Sequence, residues 1–344
     1  MKTTVERGRV KLGGGTVSRL GFGTLRLTEG RGYGPARSNA VQLLRRAVDL
    51  GIDLIDTADS YGPETAESVI REALHPYKGL TIATKGGFEH SDEHTWTPNG
   101  RPESLRAAVE GSLKRLGLEQ IPLYFLHAPD DKVPYEDSLG ALDAMHAEGK
   151  IRLVGISNVR IEHVRLARTI LADRLVAVQN YYNVMFHHGA ARFYPDTEAV
   201  LDECELHELA FVAWEPMGTG ADIPGVDDTE LCRRRALDEI ARFSTGHGIS
   251  QHTARLAAVL SRSKQLVAIP GTSNLAHLEA NMDALTLCQD ESAFSSAWLI
   301  QRPVLLSHRR RAEMEELQRR LTAPRQDYSV SSLPPWKPLP DRER

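Results

Sequence analysis

The feature that most constrains the fold is a repeated alternation between short apolar segments and longer segments with helical periodicity. Each apolar segment is nearly free of polar residues, as in strands that are buried on both faces of a parallel sheet. The segments between them place apolar residues at helical spacing, for example Val41, Leu44 and Val48. Eight such units follow one another, and they predict an α/β protein with a (β/α)8 TIM barrel.

The strand-like segments are RLGFGTL, DLIDT, LTIATK, PLYFLH, IRLVGIS, LVAVQN, AFVAW and QLVAIP. Helices are predicted over 39–50, 63–74, 102–116, 136–148, 161–171, 197–207, 229–243, 250–261 and 275–285. An N-terminal β-hairpin is predicted in RVKLGGGTVSRL, because the GGG supplies the positive φ values of a tight turn. A doubly wound open sheet is the competing fold, but no GxGxxG motif follows the first strand.

Length and composition agree with one enzyme domain. The chain has 344 residues, and its net charge of −4 gives no reason to expect nucleic-acid binding. Three widely spaced cysteines, Cys204, Cys232 and Cys288, favour a reducing compartment over a disulfide framework. The chain contains no apolar run typical of a signal peptide or a membrane span. We therefore expect a cytoplasmic protein without a membrane partner.

The C-terminal stretch differs from the rest of the chain. We expect a barrel domain over 1–306 and an extension over 307–344. The extension is predicted to begin with a charged helix that has a thin apolar stripe at Met314, Leu317 and Leu321, and it continues as a tail rich in Pro and Ser. Three interpretations stay open for it: a lid over the active site, a subunit contact that would form a homo-oligomer, or a disordered tail.

Four ionisable residues lie at or just beyond strand ends: Asp56, Tyr61, Lys85 and His127. A parallel barrel brings the carboxyl ends of its strands together at one rim, so these side chains should meet there. An ammonium group beside a phenol favours the tyrosinate, so Lys85 should lower the pKa of Tyr61 and make it a better proton donor. This combination is typical of a reductase. Taken singly, the residues have structural interpretations: a salt bridge, a core tyrosine and a hydrogen-bonded histidine.

A series of short motifs occurs at the ends of the eight strands: GFGT (21–24), IDTADSYG (55–62), ATKGG (83–87), LHAPD (126–130), VGISN (154–158), VQNYYN (178–183), WEPMG (214–218) and IPGTS (269–273). In this order the series resembles the aldo-keto reductase family, over roughly residues 8 to 287. The resemblance implies an (α/β)8 barrel that reduces an aldehyde or a ketone with a nicotinamide dinucleotide. It further implies that Tyr61 is the general acid, supported by Lys85 and Asp56, and that His127 orients the substrate oxygen.

The resemblance also implies a cofactor site. Ser157, Asn158 and Gln179 match positions that hold the nicotinamide carboxamide, and Trp214 stands where an aromatic ring stacks on the nicotinamide. Packing at the barrel rim is the alternative interpretation of Trp214. The remaining cofactor residues that the resemblance implies are Gly23, Thr24, Leu25, Glu215, Pro216, Met217, Gly218, Gly271, Thr272, Ser273, His277 and Asn281.

Several positions depart from the family pattern. Glu215 replaces a common Ser, and Gly271 and His277 stand where many members have Lys and Arg, while Ala280 replaces a frequent Glu. We expect NADPH as the cofactor, with a weaker preference over NADH than usual because these fixed cations are missing. The basic run at Arg233, Arg234 and Arg235 would supply charge, or would form a solvated helix face.

The substrate pocket should come from the loops after the strands, with Trp96, Tyr182 and Phe186 as substrate-binding candidates. Trp96 has the alternative of packing onto its own barrel. No metal site is predicted, because His90, His94, His187 and His188 lack a carboxylate or a cysteine at ligand spacing. Two other functions remain open: a redox-sensing regulatory subunit that keeps the cofactor, and a Schiff-base aldolase that uses Lys85.

Overall fold

The structure, a computed structural model, describes residues 8–28, 35–62, 65–92, 95–184, 197–218 and 227–288. It opens with an antiparallel hairpin of β1 (Arg9–Leu12) and β2 (Gly15–Ser18). Eight parallel strands then form one curled sheet in chain order, which confirms the predicted barrel. They are β3 (Phe22–Gly23), β4 (Leu54–Asp56), β5 (Thr81–Gly86), β8 (Leu123–Leu126), β9 (Val154–Ser157), β10 (Leu175–Tyr181), β11 (Ala210–Trp214) and β12 (Leu266–Ala268).

The first and last strands of the sheet meet through one bridge rather than a full ladder. Leu20, just before β3, pairs with Ala268 of β12. Two hydrogen bonds make this bridge: Gly21 N donates to Ala268 O at 2.9 Å, and Ala268 N donates to Arg19 O at 2.9 Å. The strands then run so close together that a Cβ on Gly23 would lie 2.7 Å from a carbonyl oxygen. This junction of β3 and β12, which we call the seam, therefore needs glycine at position 23.

Nine helices are described, and most of them cover the outside of the sheet. They are α1 (Arg37–Asp49), α2 (Thr65–Leu74), α3 (Pro102–Leu116), α4 (Tyr135–Ala147), α5 (Ile161–Leu171), α6 (Thr197–Leu206), α7 (Asp227–His247), α8 (Gln251–Ser261) and α9 (Leu275–Leu287). The predicted bounds of α3 and α5 are confirmed, and the other helix ends differ from prediction by up to four residues. Gly117 ends α3 in the left-handed conformation, with φ 67°.

The hairpin β1–β2 covers the amino-terminal end of the barrel. Its side chains Val10, Leu12 and Val17 belong to the same buried cluster as Leu54 and Phe125 from the strands. It is anchored just ahead of β4, where Ser18 N donates to the Asp53 carboxylate at 2.7 Å. Because this end of the barrel is filled and covered, a site for chemistry belongs at the opposite rim.

A second hairpin lies after β5, in the segment GGFEHSDEHTWTPNGR, where Trp96 was expected to lie in a loop. Strand β6 (Phe88–Asp92) pairs antiparallel with β7 (Thr95–Pro98). The expectation of a loop was wrong because the segment is mostly polar, and its one run of β-formers, Thr95 to Thr97, is only three residues long. The hairpin holds Phe88 and Trp96 at the carboxyl-terminal rim.

The C-terminal extension over 307–344 lies outside the described residues. Among the residues that the structure does describe, no helix is both long enough and apolar enough to cross a membrane.

Candidate active site

Lys85 lies at the centre of the rim and donates three hydrogen bonds. Its Nζ lies 2.6 Å from Asp56 Oδ1, 2.8 Å from the carbonyl oxygen of Thr57 and 3.2 Å from the hydroxyl of Tyr61. Gln179 Nε2 donates to the other oxygen of Asp56 at 2.8 Å. Neighbouring strands β4 and β5 place the acid and the base side by side, and Lys85 has no exposed surface. The sequence-predicted trio is therefore brought together.

Burial and charge act in opposite directions on this ion pair. Burial alone would lower the pKa of Lys85, but Asp56 and Tyr61 outweigh it, and the pKa of Lys85 is raised above its usual value. Burial raises the pKa of Asp56, and the interactions with Lys85 and Gln179 oppose that shift. A contact of 2.6 Å, with an amide donor on the second carboxylate oxygen, is the geometry of an ion pair.

Tyr61 presents its hydroxyl to Lys85 from the short segment between β4 and α2. The phenol is 8% exposed, and the Lys85 ammonium lies 4.9 Å from the ring centroid. The expectation of a lowered phenol pKa needs correction. Burial raises the pKa of Tyr61 above its ordinary value, and Lys85 opposes that shift without reversing it. The proton on Tyr61 is therefore retained at neutral pH, and Lys85 is the group that limits the rise.

Aromatic rings surround Tyr61 on its open side. The ring centroid of His127 lies 5.9 Å from that of Tyr61 and 4.6 Å from that of Phe88. Trp96 of β7 lies 6.0 Å from Tyr61 and 5.9 Å from His127. Phe88 was not predicted, although its position directly after ATKGG could have indicated it. These rings line one side of the rim and place apolar surface next to the Tyr61 hydroxyl, which is a proton donor.

Polar side chains from β9 and β10 and the ring of Trp214 form the neighbouring wall. Asn158 has φ +57°, and its Nδ2 donates to His127 O at 2.9 Å and to Ser157 Oγ at 3.2 Å. Trp214 Nε1 donates to Asn158 Oδ1 at 3.2 Å, and the indole lies 4.6 Å from the ring of Tyr181. Ser157, Asn158, Gln179 and Trp214 are thus contiguous with the Lys85 group through Asp56 and His127.

The loops after β3 and β12 approach each other closely. A Cβ on Gly271 would lie 2.9 Å from Gly23 O. Thr24 is buried and donates both its N–H and its hydroxyl to Asp56 O, each at 3.0 Å, while Leu25 is exposed. Thr272 Oγ1 accepts from Asn274 N at 3.0 Å, and Ser273 is exposed at the start of α9. Small residues and a helix N-terminus therefore meet at this part of the rim.

Glu215 adopts φ +52°, and its carboxylate lies 3.9 Å from Arg26 Nη2. The residues that follow, Pro216 to Gly218, form a tight turn in which Gly218 N donates to Glu215 O at 3.1 Å. Arg26 was not among the predicted residues, because a single arginine after a strand has no distinctive pattern. It gives Glu215 a cationic neighbour, and this reduces the negative charge that the sequence indicated near the cofactor path.

Asn281 is buried and its Oδ1 contacts His252 Nε2 at 2.7 Å, so its carboxamide oxygen is already used. The ring of His277 lies 5.3 Å from that of His252, tilted by 31°. Sequence reasoning missed His252, which is distant in the chain and becomes a neighbour only because α8 packs on α9. The side chains of Arg233, Arg234 and Arg235 lie outside those that the structure describes.

The assignment of Tyr182 to the substrate pocket was wrong. Its side chain is buried behind the barrel, where the hydroxyl donates to Glu198 Oε1 at 2.6 Å and the ring packs on Phe211. Because side chains alternate along a strand, Gln179 and Tyr181 lie on one side and Tyr182 lies on the other. Phe186, like His187 and His188, lies outside the described residues. Within the described ranges, no group of three His, Cys, Asp or Glu side chains could hold a metal ion.

The fold is a parallel barrel, and a buried Lys–Asp pair contacts a tyrosine at its carboxyl-terminal rim. Together, these two features indicate an oxidoreductase built on a barrel. A family model described as "Aldo/keto reductase family" matches residues 19–296. The chain belongs to the aldo/keto reductase family, as the motif series predicted.

Named relatives agree with this assignment. An uncharacterised oxidoreductase of Schizosaccharomyces pombe is 38% identical over 84% of this chain and 89% of its own length. Pyridoxine 4-dehydrogenase of Escherichia coli is 34% identical over 83% of this chain and 95% of its own length. An aldo-keto reductase from Klebsiella pneumoniae, solved in complex with NADPH, shares the fold with a TM-score of 0.68. It is 23% identical and covers 86% of this chain and 95% of that one.

Proposed function

We propose that this protein reduces an aldehyde or a ketone to an alcohol with NADPH, and that Tyr61 is the general acid. The observation that supports this most directly is that Lys85 donates to Asp56 and to Tyr61 at the same time. A buried ammonium that is held by a carboxylate and touches a phenol has one evident chemical use, which is to control the proton of that phenol.

The residues present fit a nicotinamide dinucleotide. A carboxamide needs both donors and acceptors, and the neighbouring wall offers the Ser157 hydroxyl and the Oε1 of Gln179, whose Nε2 is occupied by Asp56. The Trp214 indole is partly exposed beside them and offers a face for stacking. The glycines Gly23 and Gly271 keep the seam narrow, and the N-terminus of α9 favours a phosphate.

The roles of the remaining residues follow from the charge that develops in the reaction. A bound nicotinamide would supply the hydride, and negative charge would build on the carbonyl oxygen as its carbon is reduced. Tyr61 donates its proton to that oxygen, and the adjacent Lys85 ammonium stabilises the tyrosinate that remains. Asp56 holds Lys85 in place, and His127, beside Tyr61, donates to the same oxygen and orients it. Positioned donors of this kind accelerate such steps by about 10²–10⁴-fold.

A Schiff-base aldolase is disfavoured by the state of Lys85. A nucleophilic amine must be neutral and accessible, whereas Lys85 has no exposed surface, a raised pKa and three hydrogen-bond acceptors. The redox-sensing regulatory subunit differs from the reductase only in turnover. It is the second candidate, because it would keep the same contacts between Lys85, Asp56 and Tyr61.

The experiment that tests the proposal is a fluorescence titration of the full-length protein with NADPH and NADH, followed by turnover on a panel of aldehydes and ketones. The panel includes pyridoxal, the aldehyde that dehydrogenation of pyridoxine at its 4-position yields, because of the E. coli relative. We expect binding of NADPH with turnover of at least one carbonyl compound. Tight binding without turnover favours the regulatory subunit, and absence of binding to either dinucleotide overturns both.

A further inference from the structure

A second, partly buried ion pair lies behind strand β5, on the side away from Lys85. Thr84 precedes Lys85 and points to the opposite side, toward the helices. Its hydroxyl donates to Glu67 Oε1 of α2 at 2.6 Å, and Arg115 Nε of α3 donates to Glu67 Oε2 at 2.6 Å. Glu67 is fully buried. Both of its carboxylate oxygens are therefore engaged.

Asp59 adds a second carboxyl group beside this ion pair. It lies in the segment that joins β4 to α2, and its N–H donates to Lys85 O at 3.1 Å. Its Oδ1 is buried and accepts no hydrogen bond from any of the described residues. The charge of Arg115 also acts on Asp59, but Glu67 already holds that guanidinium at 2.6 Å.

These surroundings favour the protonated form of Asp59. Burial raises the pKa of Asp59 to about 7, with a further contribution from Glu67, while Arg115, the N–H of Ser60 and Lys85 oppose the shift. Tyr124 of β8, whose hydroxyl oxygen lies against Gly86, is also nearby. Burial raises the pKa of Tyr124 well above its usual value, with contributions from Asp59 and Glu67, so Tyr124 stays neutral and adds no charge. The charged neighbours of Asp59 are therefore Glu67, Arg115 and Lys85.

Asp59 is linked to the proton donor by the chain itself. It stands two residues before Tyr61, in a tight turn in which Tyr61 N donates to Ala58 O at 3.3 Å. A negative charge on Asp59 raises the pKa of Tyr61, which is the opposite of what Lys85 does. An ionised Asp59 would thus reduce the tendency of Tyr61 to give up its proton.

We propose that Asp59 is a positioning residue that holds a proton in the working enzyme, and that its ionisation weakens Tyr61 as a proton donor and sets the alkaline limit of carbonyl reduction. This inference rests on the reductase function proposed above. It assigns a role to a residue that touches neither the substrate nor the cofactor, since its effect passes through Tyr61.

The test is the pH profile of kcat for carbonyl reduction by the full chain at saturating NADPH. For the wild type we expect a fall on the order of threefold or more between about pH 6 and about pH 8. A deuterium isotope effect from 4-deuterated NADPH checks that hydride transfer limits the rate at both ends. Asp59→Asn keeps the size of the side chain and cannot ionise, so its profile should be flat over this range.

A matched control is Asp173→Asn, which makes the same chemical change on a side chain that is 96% exposed. Asp173 precedes β10 and so lies at the amino-terminal end of the barrel, away from the site. We expect this variant to keep the wild-type fall. An Asp59→Asn variant with the same fall as the wild type would overturn the proposal.

Stability provides a readout that needs no turnover. The folded state holds the Asp59 proton more tightly than the unfolded chain, whose pKa is near 3.8, so the wild type should lose stability as the pH rises from about 4 to about 7. Asp59→Asn should escape this loss and unfold at a higher urea midpoint than the wild type above pH 7, with the advantage shrinking toward pH 4. If the urea midpoints of the wild type and of Asp59→Asn depended equally on pH, the proposal that Asp59 holds a proton in the folded protein would be overturned.

Failure of the proposed reductase function would give a different result from failure of the inference about Asp59. If Asp59→Asn shows the stability difference but no carbonyl compound is turned over by the wild type, the reductase function and the link to Tyr61 both fall, while the titration of Asp59 stands. If Asp59→Asn does not fold, Glu67→Gln replaces it. That variant frees Arg115 for Asp59, so the fall in kcat should move to lower pH, and an unmoved fall would overturn the proposal.

Discussion

The two sides of strand β5 differ in what their buried ion pairs can reach. On the inner side, Lys85 and Asp56 lie 2.6 Å apart, and Lys85 also contacts Tyr61 at the rim. On the outer side, Arg115 and Glu67 are equally close, but they lie between Thr84 and the helices, away from the rim. The two pairs have the same chemistry and different neighbours. A buried ion pair becomes part of a candidate active site here because of the groups that it touches.

Strand β10 shows the same division. Gln179 points inward and donates to Asp56, whereas Tyr182, just beyond the strand end, points outward and donates to Glu198 of α6. Substitutions on the inner side should therefore change turnover or cofactor binding. Substitutions on the outer side should change the free energy of unfolding instead.

Lys85→Met should have the largest effect. It removes the cation beside Tyr61 and leaves Asp56 buried without its partner, so we expect turnover to fall on the order of 10³-fold or more. The free energy of unfolding should fall by about 3–5 kcal/mol. Steady-state kinetics and urea unfolding measure the two quantities.

Thr84→Val is the matched change on the outer side of the same strand. It leaves one oxygen of Glu67 without its donor, and this should cost about 1–3 kcal/mol of stability. Turnover at about pH 6 should stay within about a factor of two of the wild type. If Thr84→Val abolished turnover as Lys85→Met does, the division between the two sides of β5 would be broken.

Tyr61→Phe should lower turnover by about 10²–10⁴-fold, since it removes the proton donor and little else. NADPH affinity, measured by fluorescence quenching, should be nearly unchanged. Tyr135→Phe is the control, because it removes a buried hydroxyl at the start of α4 that has no hydrogen-bond partner among the residues that the structure describes. Retention of most activity by Tyr61→Phe would refute its role as general acid.

Trp214→Ala should weaken NADPH binding on the order of tenfold, because it removes the aromatic face proposed to stack on the nicotinamide. Its effect on folding should be smaller, since the indole is partly exposed. Trp214→Phe keeps a ring and should recover most of the affinity. Unchanged dissociation constants for Trp214→Ala would assign this residue to packing at the rim.

Tyr182→Phe should have the smallest effect. It removes the hydrogen bond to Glu198 on the outer side of β10, and we expect a loss of about 1 kcal/mol in the free energy of unfolding. The KM values for substrate and for NADPH should not change. A raised KM for the carbonyl substrate would contradict this result and would assign Tyr182 to the substrate pocket.

Much of the fold was predictable because it depends on local patterns. The short apolar strands and the helices at regular spacing were visible in the chain, and the bounds of α3 were correct because Pro102 starts it and Gly117 ends it. The hairpin β6–β7 was missed because its strands contain more polar residues than the barrel strands. Its pairing is decided by register across the hairpin rather than by composition.

The sequence by itself determined the order of the strands, the family and the proximity of Asp56, Tyr61 and Lys85, because parallel strands must end at one rim. Only the tertiary structure decided which side of a strand each side chain takes and what surrounds it. It placed Tyr182 behind the barrel, paired Asn281 with His252, and brought Asp59 close enough to Glu67 for the two carboxyl groups to influence each other. It also decided that the pKa of Tyr61 is raised, because desolvation depends on every atom packed around a group and not on its neighbours in the chain.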